Sequence, residues 1–144
     1  QRAEMLELAI AGHESFRVNR LELERTGPTY TVETLRELHA EDAELFFLIG
    51  ADSLADLPAW REPERIAELA TIVAVNRGDR PLPERDELRA TLGEAIAARV
   101  QLVTMPAVDV SATDIRRRVR AGRSIRYLVP RAVEAYIAAH RLYG

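Results

Sequence analysis

The sequence predicts an α/β fold with a mostly parallel sheet flanked by helices. Three observations predict it. Short apolar runs at residues 44–49, 71–75 and 100–105 read as strands. Stretches with helical spacing of apolar residues alternate with them. No internal repeat or low-complexity segment interrupts the alternation.

The elements follow in order. Met5, Leu6, Leu8, Ala9 and Ile10 crowd one side of residues 2–11, predicting a helix that Gly12 stops. Phe16 and Val18 share one phase and Leu21 and Leu23 the other, so 16–23 reads as a strand with a bulge near Asn19 and Arg20. Gly27-Pro28 marks a turn. Residues 32–39 are helical, with Leu35 and Leu38 inward and Thr31 as candidate N-cap. The run 44–49, closed by Gly50, has the pattern of a strand buried on both faces. A short helix is expected over 51–57. Pro63 suits the first turn of a helix over 64–70. Strand 71–75 leads through a loop at 77–83 to an amphipathic helix over 84–99, then to strand 100–105. Helices over 111–120 and 130–140 close the chain. In such folds ligands sit beyond the C-terminal ends of the strands, where segments 27–34, 50–60 and 108–120 fall.

Composition narrows the function classes. The 144 residues make one ordinary domain. A hydrophobic fraction of 47% and a charged fraction of 30% describe a soluble globular protein, with a cytoplasmic location as the default. No apolar run approaches the ~20 residues of a membrane span. With no cysteine there is no disulfide framework, thiolate metal site or thiol catalysis. His13, His39 and His140 are scattered without metal-ligand spacing. All 20 basic residues are arginine. Residues 1–109 hold 12 Arg against 21 acids, and residues 110–144 hold 8 Arg against 2. A basic quarter on an acidic body points to an anion site. The lack of lysine itself is explained by a GC-rich genome.

Four segments can carry chemistry. In Ser111-Ala-Thr-Asp-Ile-Arg116, Ser111 can cap a helix and Asp114 can close a capping-box-like arrangement. Thr113 and Arg116, three apart, share a face. Two hydroxyls, unpaired N–H groups and a guanidinium then suit a phosphate; a capped surface helix with solvated arginines fits the spacing equally. In Ile49-Gly50-Ala-Asp52, the glycine lets a ligand approach the backbone, and Asp52 either accepts from ribose hydroxyls or caps the next helix. Trp60, the single tryptophan, can stack on a heteroaromatic ring with Arg61 beside it for an anion, or sit at the rim of the core. Residues 27–34 offer a second helix start lined with hydroxyls, or simply a turn and a cap.

Taken together and in order, GPTYTVETL, FFLIGADSL, LPAW, VSATDIR, YLVPRAVEAYI and RLYG resemble the bacterial nicotinate-nucleotide adenylyltransferases. The resemblance covers residues 3–144. Ser-x-Thr-x-x-Arg is shared across the nucleotidyltransferase superfamily; GADSL followed by LPAW, with GPTYT upstream, is more specific. It implies a Rossmann-like nucleotidyltransferase fold. It also implies transfer of AMP from ATP, with Mg²⁺, to nicotinate mononucleotide, giving deamido-NAD and pyrophosphate in NAD biosynthesis. By resemblance, Trp60 stacks on the nicotinate ring, while N–H groups near Thr31 and Arg61 hold its carboxylate. Asp52 lies near the nucleotide sugars and Gly50 lines the adenosine site. Ser111, Thr113 and Arg116 grip the ATP phosphates. No protein metal ligands are implied, nor nucleic-acid or membrane partners; self-association stays open.

Two parts of the family pattern are not found. A His-x-Gly-His phosphate motif, following a first strand, is absent. The chain opens at Gln1 directly in a helix pattern, so 1–144 is expected to be a single nucleotidyltransferase domain, N-terminally incomplete, with its first strand missing and little activity alone. Arg77-Gly-Asp stands where the family often has Arg-Pro-Gly, so the role of Arg77 beside adenine is open. Residues alone leave three alternatives. A pantetheine-phosphate adenylyltransferase shares residues 111–116 but has no need of Trp60. A non-catalytic anion-binding module would bind any polyanion with steep salt dependence. A partial domain would have no activity.

Overall fold

The computed structural model describes residues 1–39, 44–76, 82–106 and 108–144. Arg77 and most of the expected loop at 77–83 therefore lie outside the described residues. The chain divides into two compact units, Arg25–Asp109 and Gln1–Glu24 with Val110–Gly144.

The unit Arg25–Asp109 carries the sheet. Strands β1 (Phe46–Gly50), β2 (Thr71–Val75) and β3 (Val100–Val103) lie parallel in the order β1-β2-β3. Phe47 pairs with Ile72 and Ile49 with Ala74; Ile72 in turn pairs with Val100 and Ala74 with Leu102. These six side chains share one face, and the helices of the unit cover it. Helices α3 (Thr31–Leu38), α4 (Pro63–Leu69) and α5 (Arg85–Ala97) bring Val32, Leu35, Ile66, Leu69, Leu88, Leu92 and Ile96 to the same core. Removing each of these side chains from water stabilises the unit by about 1.5–3 kcal/mol.

The expectation that 44–49 is buried on both faces is corrected. Among the described residues β1 pairs only with β2, and Phe46 and Leu48, on the face opposite the core, are 50% and 66% exposed. A continuous apolar run records that no residue is polar, not that both faces are covered. Leu38 is likewise exposed, because α3 has only Val32 and Leu35 in the core.

Arginines and glycine shape the connections. One Nη of Arg85 donates to the carbonyls of Ala97 and Val100, and Arg99 Nε donates to that of Ala67. These guanidiniums satisfy carbonyls in the last turns of α4 and α5 and at the start of β3. A reciprocal capping box between Glu84 and Glu87 starts α5. The single helix expected over 84–99 is interrupted at Gly93, whose φ of 78° only glycine adopts readily. Asn76 exchanges two hydrogen bonds with the backbone of Met105, tying the chain after β2 to the chain after β3. In place of one helix over 51–57 there are two 3₁₀ turns, Ala51–Ser53 and Leu57–Ala59.

The unit of Gln1–Glu24 and Val110–Gly144 is helical: α1 (Arg2–Ile10), α2 (Leu21–Glu24), α6 (Ala112–Arg120) and α7 (Arg131–Ala139). Ile115, Ile125, Val133 and Ile137 form its core, with Met5 and Leu8 of α1 packed on them. Tyr136 donates a hydrogen bond to Glu4, joining α7 to α1. Gly12 ends the first helical segment at φ 86°. The strand expected over 16–23 is absent. Asn19 Oδ1 accepts the Leu21 N–H at 2.9 Å, starting the short helix α2 where the bulge was expected. Phe16 and Leu23 are exposed, so no sheet rewards extension there. Among the described residues, no helix is long and apolar enough to cross a membrane.

Candidate active site

Helix α3 opens one candidate site. Tyr30, extended at φ −122° and ψ 137°, is its N-cap, and the Tyr30 carbonyl accepts from Glu33 N–H at 3.0 Å and Thr34 N–H at 3.2 Å. Thr31 is therefore the first helical residue and not the cap. Its own N–H belongs to the first turn, whose donors have no partner within the helix. Opposite lies the chain leaving the second 3₁₀ turn. Trp60 is half-buried, edge-on to Phe47 at 6.1 Å between ring centres. Thr31, Trp60 and Arg61 line one cavity of about 290 Å³ with Thr29, Tyr30, Ala59 and Ile66. Three of the sequence-predicted residues are thus brought together. Tyr30, not singled out from the sequence, joins them: its ring lies 4.5 Å from the Arg61 guanidinium carbon. The signal was an aromatic directly before a helix start, facing the only Trp-Arg pair.

Gly50 and Asp52 sit at the C-terminal end of β1. Gly50 has ordinary extended angles, so its use is space: a β-carbon there would come within 2.3 Å of Asp52 Oδ1. The close approach that the glycine allows is filled by the Asp52 carboxylate. Asp52 does not cap the turn with its side chain; Gly50 is the N-cap residue. Asp52 lines a separate cavity of about 480 Å³ with Leu54, Leu88, Leu92, Thr91 and Glu87. Its two carboxylates suit sugar hydroxyls and oppose phosphates. Gly50→Ala is expected to swing Asp52 aside. Nucleotide affinity should then fall several-fold with little change in melting temperature, since the displaced atoms end a flexible side chain. Paired titration and thermal melts read both.

In the helical unit, Ser111 caps α6 as expected: its Oγ accepts the Asp114 N–H at 3.1 Å. Thr113 and Arg116 share a face, with Oγ1 and Nη2 3.4 Å apart. The reciprocal half of the capping box is not formed. The Asp114 carboxylate turns instead to Arg117 at 2.5 Å and Arg118 at 2.6 Å. Two charge-assisted bonds outcompete one backbone N–H. Among the described residues, no carboxylate pairs with Arg116, so it is the cation of this triplet left for an outside anion.

Hydrogen bonds from Arg118 and Arg117 hold the Asp114 carboxyl below the usual carboxylate range. A lowered folded-state value adds stability above the unfolded value, and that stability is lost as pH falls through the folded one. Asp114→Asn is therefore expected to lower the urea midpoint at pH 6, and the gap to the parent should shrink as pH is brought down through the Asp114 titration. Urea melts at pH 6 and at successively lower pH check this.

Among the described residues, no group of three or more His, Asp or Glu side chains could hold a metal ion. These residues fit a divalent ion only as the companion of a nucleotide's phosphates, with phosphate oxygens and water as its ligands.

The cytidylyltransferase-like family model matches residues 1–118. A probable nicotinate-nucleotide adenylyltransferase of Thermus thermophilus is 49% identical over 145 residues, spanning 99% of this chain and 72% of the relative. Its counterpart in Thermomicrobium roseum is 50% identical over 147 residues, spanning 99% and 66%. The solved structure of Plasmodium falciparum nicotinic acid mononucleotide adenylyltransferase complexed with NaAD aligns with a TM-score of 0.68. It covers 99% of this chain and 72% of that one at 18% identity. The same protein complexed with APC aligns equally well. At that identity the likeness speaks for the fold, which is the Rossmann-like nucleotidyltransferase fold. The near-complete alignment with the bacterial relatives speaks for more, and by it the chain belongs to the nicotinate-nucleotide adenylyltransferase family.

Proposed function

We propose that the chain transfers AMP from ATP to nicotinate mononucleotide, forming deamido-NAD and releasing pyrophosphate, as a cytoplasmic step of NAD biosynthesis. Residues 1–144 serve this reaction as one nucleotidyltransferase domain acting on small molecules. The observation that carries the reading is the cavity in which Thr31, Trp60 and Arg61 meet Tyr30.

The chemistry suits the residues. A phosphate oxygen of the mononucleotide attacks the α-phosphorus of ATP. The new P–O bond forms in line as the bond to the β-phosphate oxygen breaks, and pyrophosphate leaves with the electron pair. Both partners are anions, so catalysis is positioning and charge cancellation, without a covalent intermediate. Ser111, Thr113 and the Arg116 guanidinium hold the ATP phosphates at the start of α6. A Mg²⁺ ion bound through the ATP phosphates would offset their charge; no side chain of this site is assigned to hold it. Gly50 and Asp52, at the end of β1, suit a nucleoside, Asp52 accepting from sugar hydroxyls.

Trp60 stacks on the pyridine ring. N–H groups near Thr31 and Arg61 face the ring's carboxylate, and two donors suit an acid where an amide would present its own N–H₂ to a donor.

The test uses Trp60 as the sole tryptophan fluorophore. Nicotinate mononucleotide should change its emission saturably, and nicotinamide mononucleotide should bind at least about tenfold more weakly. A folded chain that responds to neither would move the acceptor elsewhere, with 4′-phosphopantetheine the next to titrate.

A further inference from the structure

Helix α3 and the segment after Trp60 are joined by two ion pairs of opposite sense. Glu33 Oε1 meets Arg61 Nη1 at 3.4 Å, and Arg36 Nη2 meets Glu62 Oε2 at 2.5 Å. Glu33 and Arg36, three apart, lie on one face of α3, acid before base. Arg61 and Glu62 are consecutive, base before acid.

We propose that this reciprocal charge clamp sets the width of the cavity between the start of α3 and Trp60, with Arg36, Glu62 and Glu33 as positioning residues for the mononucleotide. The inference rests on the reading of that cavity as the nicotinate mononucleotide site.

The sign pattern selects one register. Sliding the segment by one residue would set Glu62 against Glu33, and Arg36 would then face no acid. Glu62 also adopts φ 51° and ψ 59°, a left-handed conformation that a residue with a side chain keeps only where its surroundings hold it. Here the Arg36 contact is such a hold. It lies between Arg61 and Pro63, the first residue of α4, where a turn of the backbone decides the direction in which Trp60 and Arg61 face. Arg61 is held a second time, over the Tyr30 ring. Both walls of the cavity are therefore fixed from α3. Exposed ion pairs add little to folding stability, so charge reversals here should leave the chain folded. None of the four residues the clamp joins is among those assigned to the ATP phosphates.

Three variants of the chain test this: Arg36→Glu, Glu62→Arg and the swapped double variant. Without ligand, acrylamide quenching of Trp60 reads the cavity wall. With ligand, titration reads the dissociation constants of nicotinate mononucleotide and ATP. Each single variant should raise the quenching constant and weaken the mononucleotide about fivefold or more, leaving ATP within about twofold. The swap should return both readouts to within about twofold of the parent. Unchanged single variants, equal losses for ATP, or a swap that recovers nothing would overturn the clamp. If quenching follows the clamp but the parent gives no saturable response to nicotinate mononucleotide, the substrate reading falls and the clamp stands.

Discussion

Trp60→Ala is expected to weaken nicotinate mononucleotide about ten- to a hundredfold while ATP changes little, since base–aromatic stacking contributes about 1–3 kcal/mol. The ring is well placed for this. It is half-buried, so one face rests on the core rim while the rest is open to the cavity, and Phe47 fixes it edge-on. A pinned ring loses little freedom when a base stacks on it. The same burial means that truncation removes packing, so the stability loss must be separated from the binding loss. Trp60→Phe does so. It keeps a stacking face and most of the packing, and it should lie between parent and alanine variant in mononucleotide affinity. Isothermal titration at a temperature where all three are folded gives the comparison. Equal losses for mononucleotide and ATP would remove the stacking assignment.

Much of this was readable from the residues. The strands read at 71–75 and 100–105, the second of which ends at Val103, were legible because an apolar run of strand length between helical stretches has few other fates in an α/β chain. Ser111 was legible as a cap because a short hydroxyl before a helical pattern has one local use. The failures have physical causes. Phase in residues 16–23 suggested a strand, but a strand needs a neighbour, and local sequence does not say whether one is available; the Asn19 side chain offered the backbone a nearer partner. The exposure of Leu48 depends on which elements cover each sheet face, which is a property of topology. The capping box at Asp114 lost to arginines three and four residues on, a competition that spacing rules do not weigh. At the candidate site, Thr31, Trp60 and Arg61 were singled out from sequence and one cavity gathers them, whereas Tyr30 and the Glu33, Arg36 and Glu62 partners were not singled out. Their use comes from two segments about thirty residues apart meeting with complementary charge.

Arg116→Ala is expected to lower kcat/KM for ATP about a hundredfold or more, with the KM for nicotinate mononucleotide nearly unchanged, as for loss of a preorganised charge donor to a reacting phosphate. Three neighbouring arginines might be thought interchangeable, and the ion pairs argue otherwise. Arg117 and Arg118 are bound to Asp114, which cancels much of their charge locally. Arg116 stands on the Thr113 face, and among the described residues no carboxylate pairs with it. Arg117→Ala therefore serves as the control, with ATP use close to that of the parent. Arg116→Lys keeps the charge but not the planar fork that matches two phosphate oxygens, so it should recover only part of the loss. The order parent, Lys, Ala in kcat/KM for ATP, with Arg117→Ala beside the parent, is the expected result. An Arg116→Ala variant with unchanged ATP use would end the triphosphate assignment at Ser111, Thr113 and Arg116. An Arg117→Ala variant equally impaired would show instead that the charge acts as a diffuse field from the whole triplet.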